Sequence, residues 1–231
     1  MAIMTRSGRA ALADAIRQRP LHLAWGTGNT AWDSTAPQGT LTFGANDVLQ
    51  LPHAYVSGVA LASADGITTY SAGTDYTVDS STGRVTRSVT GGIPTEATVR
   101  VDYTIDTPPP DVTQTALLGE LGRRAVDEVA FVVADDAGAI VAPTGRFTLS
   151  ATPTNHLFVR VRFEFEDAPD AVIREQGLFV GTTTDPNLPA GLRYFEPAAI
   201  TDPGILLIVQ NTVPIIRQPS TRETFEFVVT F

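Results

Sequence analysis

Cysteine and lysine are both absent from this chain of 231 residues. Without cysteine there are neither disulfides nor thiolate metal sites. All 16 basic residues are arginine, and the formal charge is −9. An acidic surface repels phosphate backbones, so nucleic acid is not expected as a partner. GC-rich coding is the plain explanation of an all-arginine chain. Interfaces supply another, because the planar guanidinium grips carboxylates with two parallel hydrogen bonds. Histidine is scarce too: His22, His53 and His156 lie far apart, with no second ligand at metal-binding spacing. No G-x-S-x-G, P-loop or H-E-x-x-H sequence occurs. The N-terminal MAIMTRSGRAALADAIRQRP has no long apolar run and is broken by arginine. It reads as neither a signal peptide nor a membrane span, so folding in a cytoplasm without membrane insertion is expected.

What is present is β texture. A 43% hydrophobic content supports a real core, and the 19 glycines and 16 prolines fall mostly between short apolar runs. Leu157–Gly181 looks like the centre of the fold. Val159, Val161, Phe163 and Phe165 point one way while Arg160, Arg162, Glu164 and Glu166 point the other, the period of a half-buried strand. Asp167–Asp170 turn the chain, and Val172–Val180 returns as the second member of a central antiparallel pair, with Gly177 as a bulge or close approach. Further strands are expected at Leu21–Trp25, Val129–Val133, Ile140–Val141, Phe147–Ala151, Arg193–Phe195, Ile205–Val209 and Thr224–Phe231. The continuous apolar run Ile205–Val209 suits a strand covered on both faces.

Two short helices are predicted. Thr5–Arg19 carries a Thr5 or Ser7 cap, an apolar stripe at Leu12, Ala15 and Ile16, and a stop at Pro20. Val112 to about Ala125 has Thr113 or Thr115 as cap and Leu117, Leu118 and Leu121 on its buried side, weakened by Gly119 and Gly122. Between Ala36–Gly39 and Thr107–Pro110, two proline-rich joints enclose closely spaced strands with turns at Asp79–Gly83 and Gly91–Pro94. Val99, Val101 and Tyr103 alternate there with Arg100, Asp102 and Thr104. The fold class expected is therefore mainly β with two short helices: a discontinuous β-sandwich-like main domain, 1–38 with 108–231, carrying an inserted β-sandwich or barrel module at 39–107.

Candidate sites read weakly as chemistry. Gly26, Gly28 and Ala31 match a dinucleotide fingerprint in spacing, but turn residues Asp33–Pro37 follow where a helix must start. A structural loop pinned by Trp25 and Trp32 is the better reading, and no cofactor is expected. Glu164 and Glu166 would sit about 6.5–7 Å apart on one strand face, as in a glycosidase. Arg160 and Arg162 share that face and would lower a carboxylate pKa where an acid needs it raised. All four are therefore interface candidates carrying cross-strand ion pairs. Asp135 and Asp136 before Gly138 lack the ligand alternation of a calcium loop. Tyr55, Tyr70, Tyr76 and Tyr103 invite comparison with a sugar-stacking platform; in strands such residues pack. Tyr55, Tyr70 and Tyr76 join the interface candidates. No catalytic or metal residue is assigned.

The phrases LHLAWGTGNTAWD, TALLGELGRR, DAVIREQGLFVGTT and ETFEFVVTF resemble structural proteins of bacteriophage tails. YSAGTDYTVDSSTGRVTR…GGIPTEATVRVDYT is similar to a small β module found in phage tail proteins. In proteins of this look the W-G-T-G loop runs toward the T-A-L-L-x-E-x-G-R-R segment after a short spacer; here a module intervenes. The resemblance implies a non-enzymatic subunit of the baseplate or tail-fibre attachment region, in a tailed and contractile phage. It also implies a virion location, assembly in the host cytoplasm, and contacts with other tail proteins and with copies of itself. The rivals are a neck or collar protein, and an adhesin whose module takes a host surface glycan.

Overall fold

The computed structural model describes residues 2–231, and the fold is mainly β. The chain divides into two compact units: the residues up to Gly28 together with Pro110–Phe231, and the residues Asn29–Pro109 between them. None of the helices among the described residues is long and apolar enough to cross a membrane.

The outer unit opens with the only α-helix among the described residues, Arg6–Arg17. Thr5 caps it, its Oγ1 accepting from the Gly8 amide at 3.1 Å. Ala13 is fully buried and Ile16 packs beside it, whereas Leu12 and Ala15 of the expected apolar stripe are exposed, because the helix turns Ala13 and not Leu12 to the core. The second predicted helix does not form. Residues 111–119 are irregular and Glu120–Ala125 is a strand. Two causes act together. Glycines at 119 and 122 weaken any helix here, and the Leu118 and Gly119 amides donate to the Glu175 carboxylate, a tertiary bond that overrides local preference.

Two antiparallel five-stranded sheets follow. The first runs in the order Tyr194–Phe195, Glu120–Ala125, Leu21–Gly26, Val172–Val180, Ile205–Ile216. The second runs Ile140–Ala142, Gly145–Leu149, Glu128–Ala134, His156–Phe163, Glu223–Thr230. The expected central pair is thus not a pair. His156–Phe163 and Val172–Val180 lie in different sheets, joined by a crossover through 164–171. The strand ends at Phe163, so Phe165 is exposed and Glu164 and Glu166 stand on the crossover. Ile205–Ile216 is likewise an edge strand, half-buried and not covered on both faces.

The core draws Leu23, Trp25 and Leu178 from the first sheet and Val159, Val161, Phe163 and Val229 from the second. Trp25 stacks on Phe163, and Phe225 meets both rings edge-on.

The inner unit has its own core. Thr98–Ile105 is its spine, with Val99, Val101, Tyr103 and Ile105 buried in strict alternation. Ser34–Thr35, Gly39–Thr42 and Val56–Ser63 all pair with it, and Thr69–Tyr70 pairs with Val56–Ser63. Val48–Gln50, Arg84–Arg87 and Tyr76–Asp79 form a second, three-stranded sheet. At the Asp79–Gly83 turn, Gly83 takes φ +69° and a Cβ there would strike the His53 carbonyl. Trp32 and Ala36 are core residues of this unit, ahead of the joint expected at 36–39.

Candidate functional site

The first of three charged clusters in the outer unit surrounds Glu175, which is fully buried. Its Oε1 accepts from the Gly28 amide at 3.2 Å and the Gly119 amide at 2.8 Å; Oε2 accepts from the Leu118 amide at 3.1 Å. The glycines make room: a Cβ on Gly26 would lie 2.9 Å from Glu175 Cδ. One on Gly119 would strike Thr27 Oγ1. The W-G-T-G loop is therefore a cradle for a carboxylate of the same unit. Residues 30–33 form a turn, not a helix.

The second cluster is built on Arg123. Its guanidinium holds Glu120 in two parallel bonds of 2.7 Å, donates to Thr182 Oγ1 at 3.0 Å and the Pro203 carbonyl at 2.8 Å, and lies 3.9 Å over the Phe179 ring. The third fixes the crossover. Arg124, one residue on and so on the other face, reaches buried Asp167 at 2.7 Å. Arg217 donates to the carbonyls of Glu164 at 2.7 Å, Asp167 at 3.3 Å and Thr221 at 3.0 Å. None of these five groups, Glu175, Arg123, Arg124, Asp167 and Arg217, was assigned from the sequence. A signal existed for one: Glu175 shares strand parity with Gly177 and Phe179, so it had to point inward with them.

The predicted residues are scattered by comparison. Arg160 pairs with Glu128 and, at 3.9 Å, with Glu226. Arg162 reaches Glu164 at 2.9 Å, and Arg222 also pairs with Glu164. Partial desolvation pushes the Glu164 carboxyl up, but Arg162 and Arg222 outweigh it and hold it below the usual range, the wrong direction for a general acid. Glu166 is exposed on the turn. In the inner unit Tyr76 is 2% exposed, its hydroxyl donating to the Val59 carbonyl, so it offers no ring face to a ligand. Tyr103 is buried and bonded to His53 at 2.7 Å. Tyr70 is half-buried, and Tyr55 is exposed at φ +52°.

Among the described residues no cluster of His, Asp and Glu is arranged to hold a metal. His22 is buried against Phe195, and burial, with Arg123 and Arg193 nearby, lowers its pKa to about 4. Asp135 is occupied by Thr148 and the Ala137 amide. A cleft of about 930 Å³ beside the helix is lined by Arg6, Arg9, Thr154 and His156, with no carboxylate to pair as acid or base.

The cradle and the arginine clusters take their residues from the glycine-rich loop, the G-E-L-G-R-R strand and the R-E-Q-G strand. Those segments fall within residues 1–42 and 102–231, which match the family model described as baseplate wedge 3 tail fiber network component. The chain belongs to that family. It is a phage baseplate and tail-fibre protein, located in the tail. No curated protein matches the chain. The family match stops at 42 and resumes at 102, so the stretch it passes over lies inside the inner unit.

Proposed function

We propose that this chain is a non-enzymatic structural subunit of a contractile tail, placed where the baseplate meets the tail fibres. The outer unit is a discontinuous β-sandwich that docks on neighbouring tail proteins. The inner unit is an inserted β module that projects or bridges to an adjacent subunit. Several copies enter each virion, after assembly in the host cytoplasm. The observation that carries this reading is the use made of the buried charge. Glu175, Arg123, Arg124, Asp167 and Arg217 each bond to backbone or to one another, which supports a role in holding a shape and not in turning over a substrate.

Virions carrying a C-terminal label on this chain, imaged by electron microscopy, test the placement. Density at the junction of baseplate and fibres is expected. Label at the neck would move the protein to a collar, and unlabelled particles would remove it from the virion. Saturable binding of a host glycan by the purified protein would make it an adhesin instead.

A further inference from the structure

The cleft of about 930 Å³ beside the helix Arg6–Arg17 is lined by Arg6, Arg9 and Ala10 from the helix. Val133, Ala134 and Pro153 line it from the second sheet and from the loop leading into His156–Phe163. Arg6 and Arg9 are its charged residues, and among the described residues no carboxylate lines it. The chain as a whole carries −9, so a purely basic cleft stands apart from the rest of its charge. Arg123, Arg124, Arg160 and Arg162 of the same unit all have carboxylate partners. Among the described residues Arg6 has neither an ion pair nor a hydrogen bond, and Arg9 spends one Nη1–H on the Phe231 carbonyl at 3.0 Å.

The position of these arginines is also costly. The helix has no acidic residue in its first turn, and a cation at the N-terminal end works against the helix dipole. An anion seated on the two guanidinium groups removes that cost. Chemistry then selects among anions. A nucleic acid meets an acidic surface beyond the cleft and is repelled along its length. Val133, 41% exposed, with Ala134 and Pro153 gives the cleft an apolar lining that a bare phosphate cannot use. A peptide offers both features: carboxylates that take the arginine forks in two parallel bonds, and an apolar side chain for the lining.

We propose that this cleft receives an acidic segment of a neighbouring tail protein, its carboxylates on Arg6 and Arg9 and an apolar side chain against Val133. The proposal rests on the reading that the outer unit docks on other tail proteins, and adds where it does so and by what chemistry.

Fluorescence anisotropy with the full-length chain and a labelled peptide of alternating glutamate and leucine tests it. Binding should saturate at one peptide per chain and weaken as salt is added. Arg6→Gln combined with Arg9→Gln, both at exposed positions, should weaken it by roughly ten-fold or more, with the fold intact by circular dichroism. Arg84→Gln, at an exposed position of the inner unit, should leave it unchanged, and the peptide with glutamine in place of glutamate should not bind. Absence of saturation, indifference to the two arginine changes, or equal binding of the glutamine peptide would overturn the proposal. So would equal binding of an oligothymidylate of matched charge, which would make the cleft a site for any polyanion. Virion labelling reads the tail placement separately: labelled virions with no peptide binding lose the cleft alone, and peptide binding by a chain missing from virions loses the placement alone.

Discussion

The indole of Trp25 lies flat against the ring of Phe163, centroids 3.4 Å apart and planes 10° from parallel, binding the first sheet of the outer unit to the second. The Arg217 guanidinium stands 5.1 Å from the indole centre. Removing this fully buried indole leaves a cavity in the core, so Trp25→Ala should destabilise the outer unit by about 3–5 kcal/mol. Urea unfolding checks it. Trp32, buried in the inner unit, then becomes the only tryptophan and should report a separate, unchanged transition.

Glu175→Gln tests the cradle. The amide places two donors where one carboxylate oxygen accepted the Leu118 N–H, so donor faces donor. A loss of about 1–3 kcal/mol is expected, with faster hydrogen exchange at Leu118. Gly26→Ala should be at least as harmful, because the added methyl collides with the Glu175 side chain. A neutral Gly26→Ala would show that the loop is not shaped by the carboxylate.

The Arg124–Asp167 bridge is buried at both ends. Arg124→Met alone should cost about 3–5 kcal/mol, since it strands a carboxylate. Adding Asp167→Leu should recover part of that loss. A double-mutant cycle by chemical denaturation measures the coupling; strictly additive losses would mean that the two residues act separately.

His22 sets a pH dependence. Its folded pKa is lowered to about 4 from 6.5, chiefly by burial, so between these values the unfolded chain binds more protons than the folded one. Stability must then fall as pH drops through that window, by up to about 3 kcal/mol, and level off below it. His22→Phe should flatten this part of the profile. Urea midpoints at pH 7 and pH 4.5 for both proteins give the comparison.

Replacing residues 29–109 by a flexible glycine–serine linker should leave the outer unit folded, with Trp25 still shielded from quencher. An unfolded product would mean that the outer unit depends on the inner one.

Much of this architecture was legible in the chain. Val99, Val101 and Tyr103 alternate as written and are buried as the period requires, and so are Val159, Val161 and Phe163. These follow from local geometry that any neighbour would respect. What escaped depends on partners distant in sequence. The leucines at 117, 118 and 121 have helical spacing, yet Glu175, more than fifty residues away, claims the Leu118 and Gly119 amides first. Phe165 continues the strand's alternation but falls beyond its end, on a crossover fixed by Arg124 and Arg217. Arginine looks like surface in any sequence, and nothing near Arg123 or Arg217 announces the carbonyls that bury them.

The passage into and out of the inner unit is a closed gate. Ser34–Thr35 and Thr104–Ile105 are hydrogen-bonded to each other, and Thr107 Oγ1 donates to the Asp33 carboxylate at 3.0 Å. Anything threaded beyond that clasp enters and leaves at one point. A change made beyond it leaves the two closing segments side by side.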